Sequence, residues 1–225
     1  MSKSAHPLSL SLAAASVSTT IIQVAAVSGT SITYSYNTLS GNQPNTYGDT
    51  LFLWQNQAQI PYNEPPTSSY TIPGNTQAGG YTWNQLSIGT NSYIVGYAVG
   101  TDVKNICAWA FVPASGSADN SSSFATSISV GAITSNSVVI NFSTPAGNDP
   151  TANGDWIGVW NNGAPSYIVQ PTAKSGVKDL GGNNNGTVGI NLALLRGNTY
   201  AVAYFKGGAS TSTLTTMAAT TTFST

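Results

Sequence analysis

The chain has 225 residues, of which 6% are charged, 10% are aromatic and 40% are hydrophobic, and its formal net charge is -1. This hydrophobic content excludes intrinsic disorder, and the six scattered Lys and Arg residues exclude nucleic acid as a partner, because they cannot neutralise enough phosphates. Most surface groups are expected to be neutral hydrogen-bonding groups, so the molecules repel one another little and the composition favours a homo-oligomer.

The first 17 residues are predicted to form a tail or a first strand. Residues 8–17 are apolar and short, like the core of a secretory signal, but Ser interrupts the run and only Lys3 and His6 add positive charge before it. We therefore favour a strand over a signal peptide. No stretch reaches the ~18 consecutive apolar residues that a membrane helix needs, so no membrane span is expected.

An internal repeat organises the rest of the chain, because residues 20–56 recur as residues 126–162 almost without gaps. The matching residues are Gly41, Asn42, Pro44, Gly48, Asp49 and Trp54 in the first copy and Gly147, Asn148, Pro150, Gly154, Asp155 and Trp160 in the second. Each copy has the usual size of a small sandwich domain. The sequence thus predicts two domains, at 18–113 and 124–225, joined by a flexible Ser/Gly-rich linker at 114–123.

Apolar residues alternate with period two in both copies and are separated by clusters of Gly, Pro, Asn and Ser, which is typical of strands joined by turns. The first copy has predicted strands at residues 21–27, 31–36, 50–55, 81–86, 93–99 and 106–112. The second copy has them at residues 128–133, 138–142, 156–160, 188–192, 199–205 and 213–222. Six or seven short strands per copy favour an all-β, two-sheet sandwich over a barrel.

The second half of each copy resembles the fibronectin type III family. The segments LSIGTNSYIVGYAVG and LALLRGNTYAVAYFKG each have a Leu, a Gly turn and a Tyr-x-Val-x-Tyr strand, and Tyr93 and Tyr200 match the family's corner tyrosine. The resemblance implies tandem immunoglobulin-like sandwiches in which the tyrosine ring enters the core and its hydroxyl bonds to the preceding corner. GDWIGVW is also similar to a strand of SKICH domains and of the N-terminal sandwich of purple acid phosphatases. These likenesses concern the fold alone.

Residues suited to catalysis are scarce, so we expect no enzyme. His6 is the single histidine, it lies in the tail, and no nucleophile or metalloprotease motif is present. Cys107 is the single cysteine and is predicted to be a buried strand thiol. No cofactor is expected. The alternative is Ca²⁺ in the loops at 41–49 and 147–155, although each loop has fewer carboxylates than a tight site uses.

Asp49 and Asp155 each follow a glycine and precede a predicted strand, in a chain with seven acidic residues. One interpretation is structural, because an Asp after a glycine turn commonly accepts hydrogen bonds from its own loop. The other is that these carboxylates, with Asn42 and Asn148, hydrogen-bond the hydroxyls of a sugar. The two roles can coexist.

Trp54 and Trp160 alternate with aliphatic residues along their strands. If the aliphatic residues fill the core, the tryptophans point outward as aromatic platforms, unless loops bury that face as well. Trp83 has no tryptophan counterpart in the second copy, so the two copies can differ in ligand. The predicted ligand site therefore comprises Asn42, Asp49, Trp54, Trp83, Asn148, Asp155 and Trp160.

Three hypotheses for function remain open. The first is a non-enzymatic, multivalent, lectin-like protein that binds neutral carbohydrate, with glycans or cell-surface glycoconjugates as partners and a place of action at or outside the cell surface. The second is a self-assembling structural subunit of a fibre, inclusion or surface layer, because the chain has little charge and sandwiches have exposed edges. The third is a component of a toxin or adhesin.

Overall fold

The computed structural model describes residues 18–161, 163–177 and 183–225, and the regular secondary structure of this part of the chain is almost entirely β-strand. The prediction of an all-β sandwich is confirmed. The predicted tail or strand at residues 1–17 lies outside the described residues. No helix among the described residues is long and apolar enough to cross a membrane.

The first repeat forms seven strands, a one-turn helix α1 (Pro44–Tyr47) and a 3-10 turn (Val103–Asn105). The strands are β1 (Ile21–Val27), β2 (Ile32–Asn37), β3 (Thr50–Gln55), β4 (Ser68–Thr71), β5 (Ala78–Trp83), β6 (Tyr93–Ala98) and β7 (Ile106–Val112). One antiparallel sheet has the order β1-β2-β5 and the other begins β4-β3-β6-β7.

The second repeat forms an equivalent set of strands and a one-turn helix α2 (Pro150–Asn153). The strands are β8 (Ser122–Ala125), β9 (Ser127–Ile133), β10 (Ser137–Ser143), β11 (Trp156–Asn161), β12 (Ala173–Gly176), β13 (Asn185–Asn191), β14 (Thr199–Phe205) and β15 (Met217–Ser224). The two sheets have the orders β13-β10-β9 and β12-β11-β14-β15. Strand β8 pairs with β7 and becomes the fifth strand of the large sheet of the first repeat.

Differences from the predicted strands have local causes. The prediction missed β4, β8 and β12. Each of these strands has four residues with few apolar side chains, so its sequence shows no apolar alternation. β5 begins before residue 81, because Gly79, which is typical of a turn, lies within the strand in the structure. A glycine is needed there, since a Cβ at this position would collide with the Tyr36 ring. Ser122 and Ser123, at the end of the predicted linker, belong to β8 instead.

The segments that lead into each repeat cross to the other repeat. β8 precedes β9 but pairs with β7, while Thr19, which precedes β1, forms a bridge with Ala219 of β15. The amide of Thr20 donates to the carbonyl of Ala218 at 3.0 Å. In the same way, the amide of Thr126 donates to the carbonyl of Cys107 at 2.8 Å. Sheet hydrogen bonds therefore join the two repeats in addition to the covalent connection.

Residues of both repeats form one continuous hydrophobic cluster. Leu51 and Leu53 of β3 belong to it, as do Ile157 and Val159 of β11, and all four are buried. Because the two halves share this core, the structure does not separate them as independent units. The division at 18–113 and 124–225 stays a prediction.

Both corner tyrosines have the geometry that the fibronectin type III resemblance implies. The Tyr93 hydroxyl accepts a hydrogen bond from the amide of Ser87 at 3.0 Å, and the Tyr200 hydroxyl accepts one from the amide of Leu195 at 2.7 Å. Both rings are buried in the shared core. With the strand order, these corners confirm the fold-level likeness to fibronectin type III and immunoglobulin-like sandwiches.

We expect Tyr93→Phe and Tyr200→Phe each to lower the free energy of unfolding by about 1 kcal/mol, because each leaves a backbone amide without its partner. For a chain of this size the melting temperature should fall by about 2–4 °C, measured by circular dichroism. Tyr47→Phe is the control, since Tyr47 stacks on the ring of Tyr167 with centroids 5.4 Å apart and phenylalanine keeps this contact. Equal melting temperatures for all three variants and the parent would contradict the corner assignment.

Candidate functional site

The seven residues of the predicted ligand site are all buried, with at most 6% of any of them exposed. They are Asn42, Asp49, Trp54, Trp83, Asn148, Asp155 and Trp160. At this burial they present little surface to a ligand in this structure, and their hydrogen bonds give them structural roles. Their assignment as ligand contacts stays a prediction.

In the first repeat, the turn formed by helix α1 and Gly48 directs Asp49 into the interior. Gly48 ends the helix with a φ of 77°, a left-handed conformation that favours glycine. Asp49 Oδ2 accepts hydrogen bonds from Asn42 Nδ2 and from the Tyr97 hydroxyl, both at 2.7 Å. Burial raises the pKa of the Asp49 carboxyl to about 6, and these two hydrogen bonds oppose the rise.

In the second repeat, Gly154 ends helix α2 in the same way with a φ of 70°. Asp155 Oδ2 accepts from the Tyr204 hydroxyl and from Lys206 Nζ, both at 2.8 Å, and its Oδ1 accepts from the amide of Gly207 at 2.7 Å. The side chains of Lys206 and Asp155 are fully buried, so this is an interior ion pair. Both clusters thus bind their own repeat together.

Two tryptophans of the predicted site, Trp54 and Trp160, lie under loops, whereas Trp83 lies in the shared core. Trp54 faces away from the shared core, as the alternation predicts, but its Nε1 donates to the carbonyl of Glu64 at 3.3 Å. Trp160 Nε1 donates to the carbonyl of Val169 at 2.9 Å. Trp83 Nε1 donates to the hydroxyl of Ser68 at 3.3 Å. Around Trp54 and Trp160 the second face of each large sheet is therefore also buried, because the loops after β3 and β11 fold back over it.

In the part of the chain that the structure describes, no three or more His, Cys, Asp or Glu residues are grouped so that they could hold a metal ion. Each of the two buried clusters contributes one carboxylate. Tight Ca²⁺ sites use six to eight oxygen ligands with several carboxylates among them.

The structure draws attention to a different surface, on strands β7 and β8. Four of the five tryptophans are buried, and Trp109 of β7 is the exception. Trp109 lies directly opposite Phe124 of β8, and their rings are near-parallel at 16° with centroids 6.1 Å apart. Phe111 points to the same face. We call Trp109, Phe111 and Phe124, all half-buried, the aromatic strip.

The aromatic strip continues a buried hydrophobic face. Paired positions across the large sheet of the first repeat run from Phe52 through Gly96 to Trp109 and Phe124. The loop at 56–67 covers the Phe52 end with Ile60, which is buried with it. Towards β8 this loop no longer covers the face, so Trp109 and Phe124 are partly exposed.

The equivalent positions in the second repeat are not aromatic. The strand pairing places Thr220 and Thr222 of β15 where Trp109 and Phe111 lie in β7. Ser18 takes the place of Phe124, and its carbonyl accepts from the amide of Thr220 at 2.7 Å. The same fold is thus built with Thr and Ser at this face, so the aromatic side chains are not required by the fold.

The sequence contained a signal for the aromatic strip that the repeat alignment of residues 20–56 did not reach. The segment CAWAFV corresponds to AATTTF of the second copy, where the connection from the Tyr-x-Val-x-Tyr strand is four residues longer. Aromatic residues in one copy and threonines in the other indicate a position where packing does not decide the residue type. Only the structure shows which of these aromatic residues stay uncovered.

No family model matches the chain, and no curated protein matches its sequence. Among solved structures, a DUF3823 family protein from Bacteroides uniformis is 9% identical, with a TM-score of 0.29 over 92% of this chain and 99% of that chain. The chicken CNTN1 FN1-FN3 domains are 13% identical, with a TM-score of 0.27 over 92% of this chain and 64% of theirs. At these values neither structure identifies a site or a ligand for this chain.

Proposed function

We propose that this protein is a non-enzymatic binding module for neutral carbohydrate and that the aromatic strip is its sugar-stacking surface. The observation that carries the proposal is the half-exposed row of Trp109, Phe111 and Phe124 at positions where the second repeat has Thr and Ser. A fold that does not need these rings keeps them at its surface, which is the pattern of a binding surface.

The chemistry around the aromatic strip suits a neutral sugar. Aromatic rings offer a large apolar face that packs against the C–H face of a pyranose. On β8, Ser122 lies opposite Phe111 on the same face, and its exposed hydroxyl carries no charge. Hydroxyl groups donate and accept hydrogen bonds, as sugar hydroxyls do.

The backbone of β8 adds further hydrogen-bonding groups. β8 is the last strand of its sheet, so one of its edges is not paired within the sheet. Edge strands present N–H and C=O groups that water or a ligand can satisfy. Stacking rings beside such an edge give both the apolar and the polar contacts of a carbohydrate site.

The same edge supports a second candidate function, the self-assembling structural subunit. An edge strand next to hydrophobic side chains can pair with a second copy of the chain, and a formal net charge of -1 opposes this little. The two functions differ in what β8 contacts, a glycan or another copy.

The double substitution Trp109→Thr and Phe111→Thr gives the first repeat the residues of the second. We expect it to weaken carbohydrate binding by about thirty-fold, since losing two half-buried aromatic contacts costs about 2 kcal/mol. A glycan array identifies the ligand for the parent, and titration calorimetry then measures both proteins. Thr220→Ser with Thr222→Ser is the matched control at the equivalent face and should bind as the parent does.

Thermal unfolding and light scattering accompany these measurements. A folded double variant that binds as tightly as the parent would refute the aromatic strip as the site. The structural subunit would be favoured instead if no glycan on the array bound the parent and if the parent formed polymers that the double variant did not form.

A further inference from the structure

The two buried carboxylate clusters are equivalent in position but not in charge. Tyr97 of β6 and Tyr204 of β14 each donate to the aspartate of their own repeat. Two residues after each tyrosine, the second repeat has Lys206 and the first has Val99. The second cluster thus contains a carboxylate with its counter-ion, and the first contains the carboxylate alone.

Lys206 satisfies two oxygens in the second repeat. Its Nζ donates to Asn148 Oδ1 at 2.7 Å and to Asp155 Oδ2 at 2.8 Å. The Asn148 oxygen also accepts from Asn153 Nδ2 at 2.8 Å. A single positive charge therefore sits between the amide oxygen and the carboxylate, with no exposure to solvent.

In the first repeat two oxygens of the cluster lack donors. One is the amide oxygen equivalent to the one that Lys206 contacts, and the other is the carboxylate oxygen equivalent to Asp155 Oδ1, which accepts from the Gly207 amide. Asn42 Oδ1 and Asp49 Oδ1 are buried and accept no hydrogen bond from any described protein group. Asn42 is 2% exposed and Asp49 is fully buried. Tyr47 stands where the second repeat has Asn153, so both donors to the amide oxygen are replaced by apolar or aromatic residues.

A buried carboxylate without a compensating charge is strongly unfavourable, and so is a buried oxygen without a donor. A shorter valine side chain takes the place of a lysine in the first repeat, so no residue that the structure describes supplies the ammonium group there. The missing group has one positive charge and bonds to an amide oxygen and a carboxylate.

We propose that the first repeat binds a small monovalent cation that supplies the positive charge which Lys206 supplies in the second repeat, with the unpartnered Asn42 Oδ1 and Asp49 Oδ1 as protein ligands. Oxygen donors are the ligands that hard cations prefer. One carboxylate balances one positive charge, as in the Lys206 pair, whereas a divalent ion would leave a buried excess charge. The site is structural and lies away from the aromatic strip.

The test compares melting temperatures in KCl, NaCl, NH₄Cl and tetramethylammonium chloride at one ionic strength, about 0.15 M. Tetramethylammonium screens charges equally but is too large for an interior site. We expect at least one small cation to raise the melting temperature of the parent by roughly 2–5 °C above that in tetramethylammonium, because a ligand that binds only the folded state stabilises it.

Two variants place this effect at the first repeat. Val99→Lys restores the residue of the second repeat and should remove the cation dependence, and Asp49→Asn should remove it as well. Asp102→Asn alters an exposed carboxylate that pairs with Lys104 and should keep the full dependence.

If Val99→Lys does not fold, Asp49→Asn decides the result. Melting temperatures that do not depend on the small cation would overturn the proposal. So would a full dependence in Asp49→Asn, or stabilisation by CaCl₂ alone.

Discussion

Lys206→Met is expected to destabilise the protein by about 3–5 kcal/mol at neutral pH, because it leaves the Asp155 carboxylate buried without its positive partner. Both side chains of this ion pair are fully buried, so solvent does not screen the loss. Methionine keeps most of the length of the lysine stem, which limits the cavity term. For a chain of this length the melting temperature should fall by roughly 10 °C or more.

The double variant Asp155→Asn with Lys206→Met separates the charge from the packing. Removing the carboxylate as well takes away the uncompensated charge, so we expect the double variant to recover much of the loss, as buried ion pairs replaced at both ends often do. Chemical denaturation of the parent, both single variants and the double variant completes a mutant cycle. Lys206→Met within about 1 kcal/mol of the parent would contradict the role of this pair.

Asp49 is expected to make stability depend on pH in the opposite direction from most carboxylates. Its pKa is raised in the folded state by burial, from 3.8 to about 6. Between these two values the folded protein holds the proton more tightly than the unfolded chain does. The free energy of unfolding is therefore highest below about pH 4, falls as the pH rises to about 6, and is constant above that value as far as this group is concerned.

A pKa change of this size corresponds to about 3 kcal/mol, which the parent should lose across that window. Asp49→Asn has no proton to release and should lack this component. The measurement is urea unfolding of both proteins from pH 3.5 to 8 in buffers with tetramethylammonium as the sole cation. The difference between the two curves isolates Asp49 from the other carboxylates, and parallel curves would show that Asp49 is not desolvated as the structure indicates.

The glycine–aspartate repeat illustrates how far sequence reasoning reaches. The recurrence of Gly48 and Gly154 correctly indicated equivalent turns, because only glycine adopts their left-handed backbone without strain. The aspartates that follow were placed in loops with two possible roles. Whether such a side chain turns outward or inward depends on the hydrogen-bond donors that the interior offers. Here the donors are Tyr97 and Tyr204, from strands about fifty residues away.

The sequence by itself determined the strands with clear alternation, the repeat and both tyrosine corners, since each depends on neighbouring residues or on one short turn. It also placed Trp54 and Trp160 on the face opposite the aliphatic residues of their strands, without deciding which face fills the core. Only the tertiary structure decided that loops bury these tryptophans and leave Trp109 half-exposed. Alternation separates the two faces of a strand but carries no information about what covers the second face, because loop packing joins residues distant in the chain.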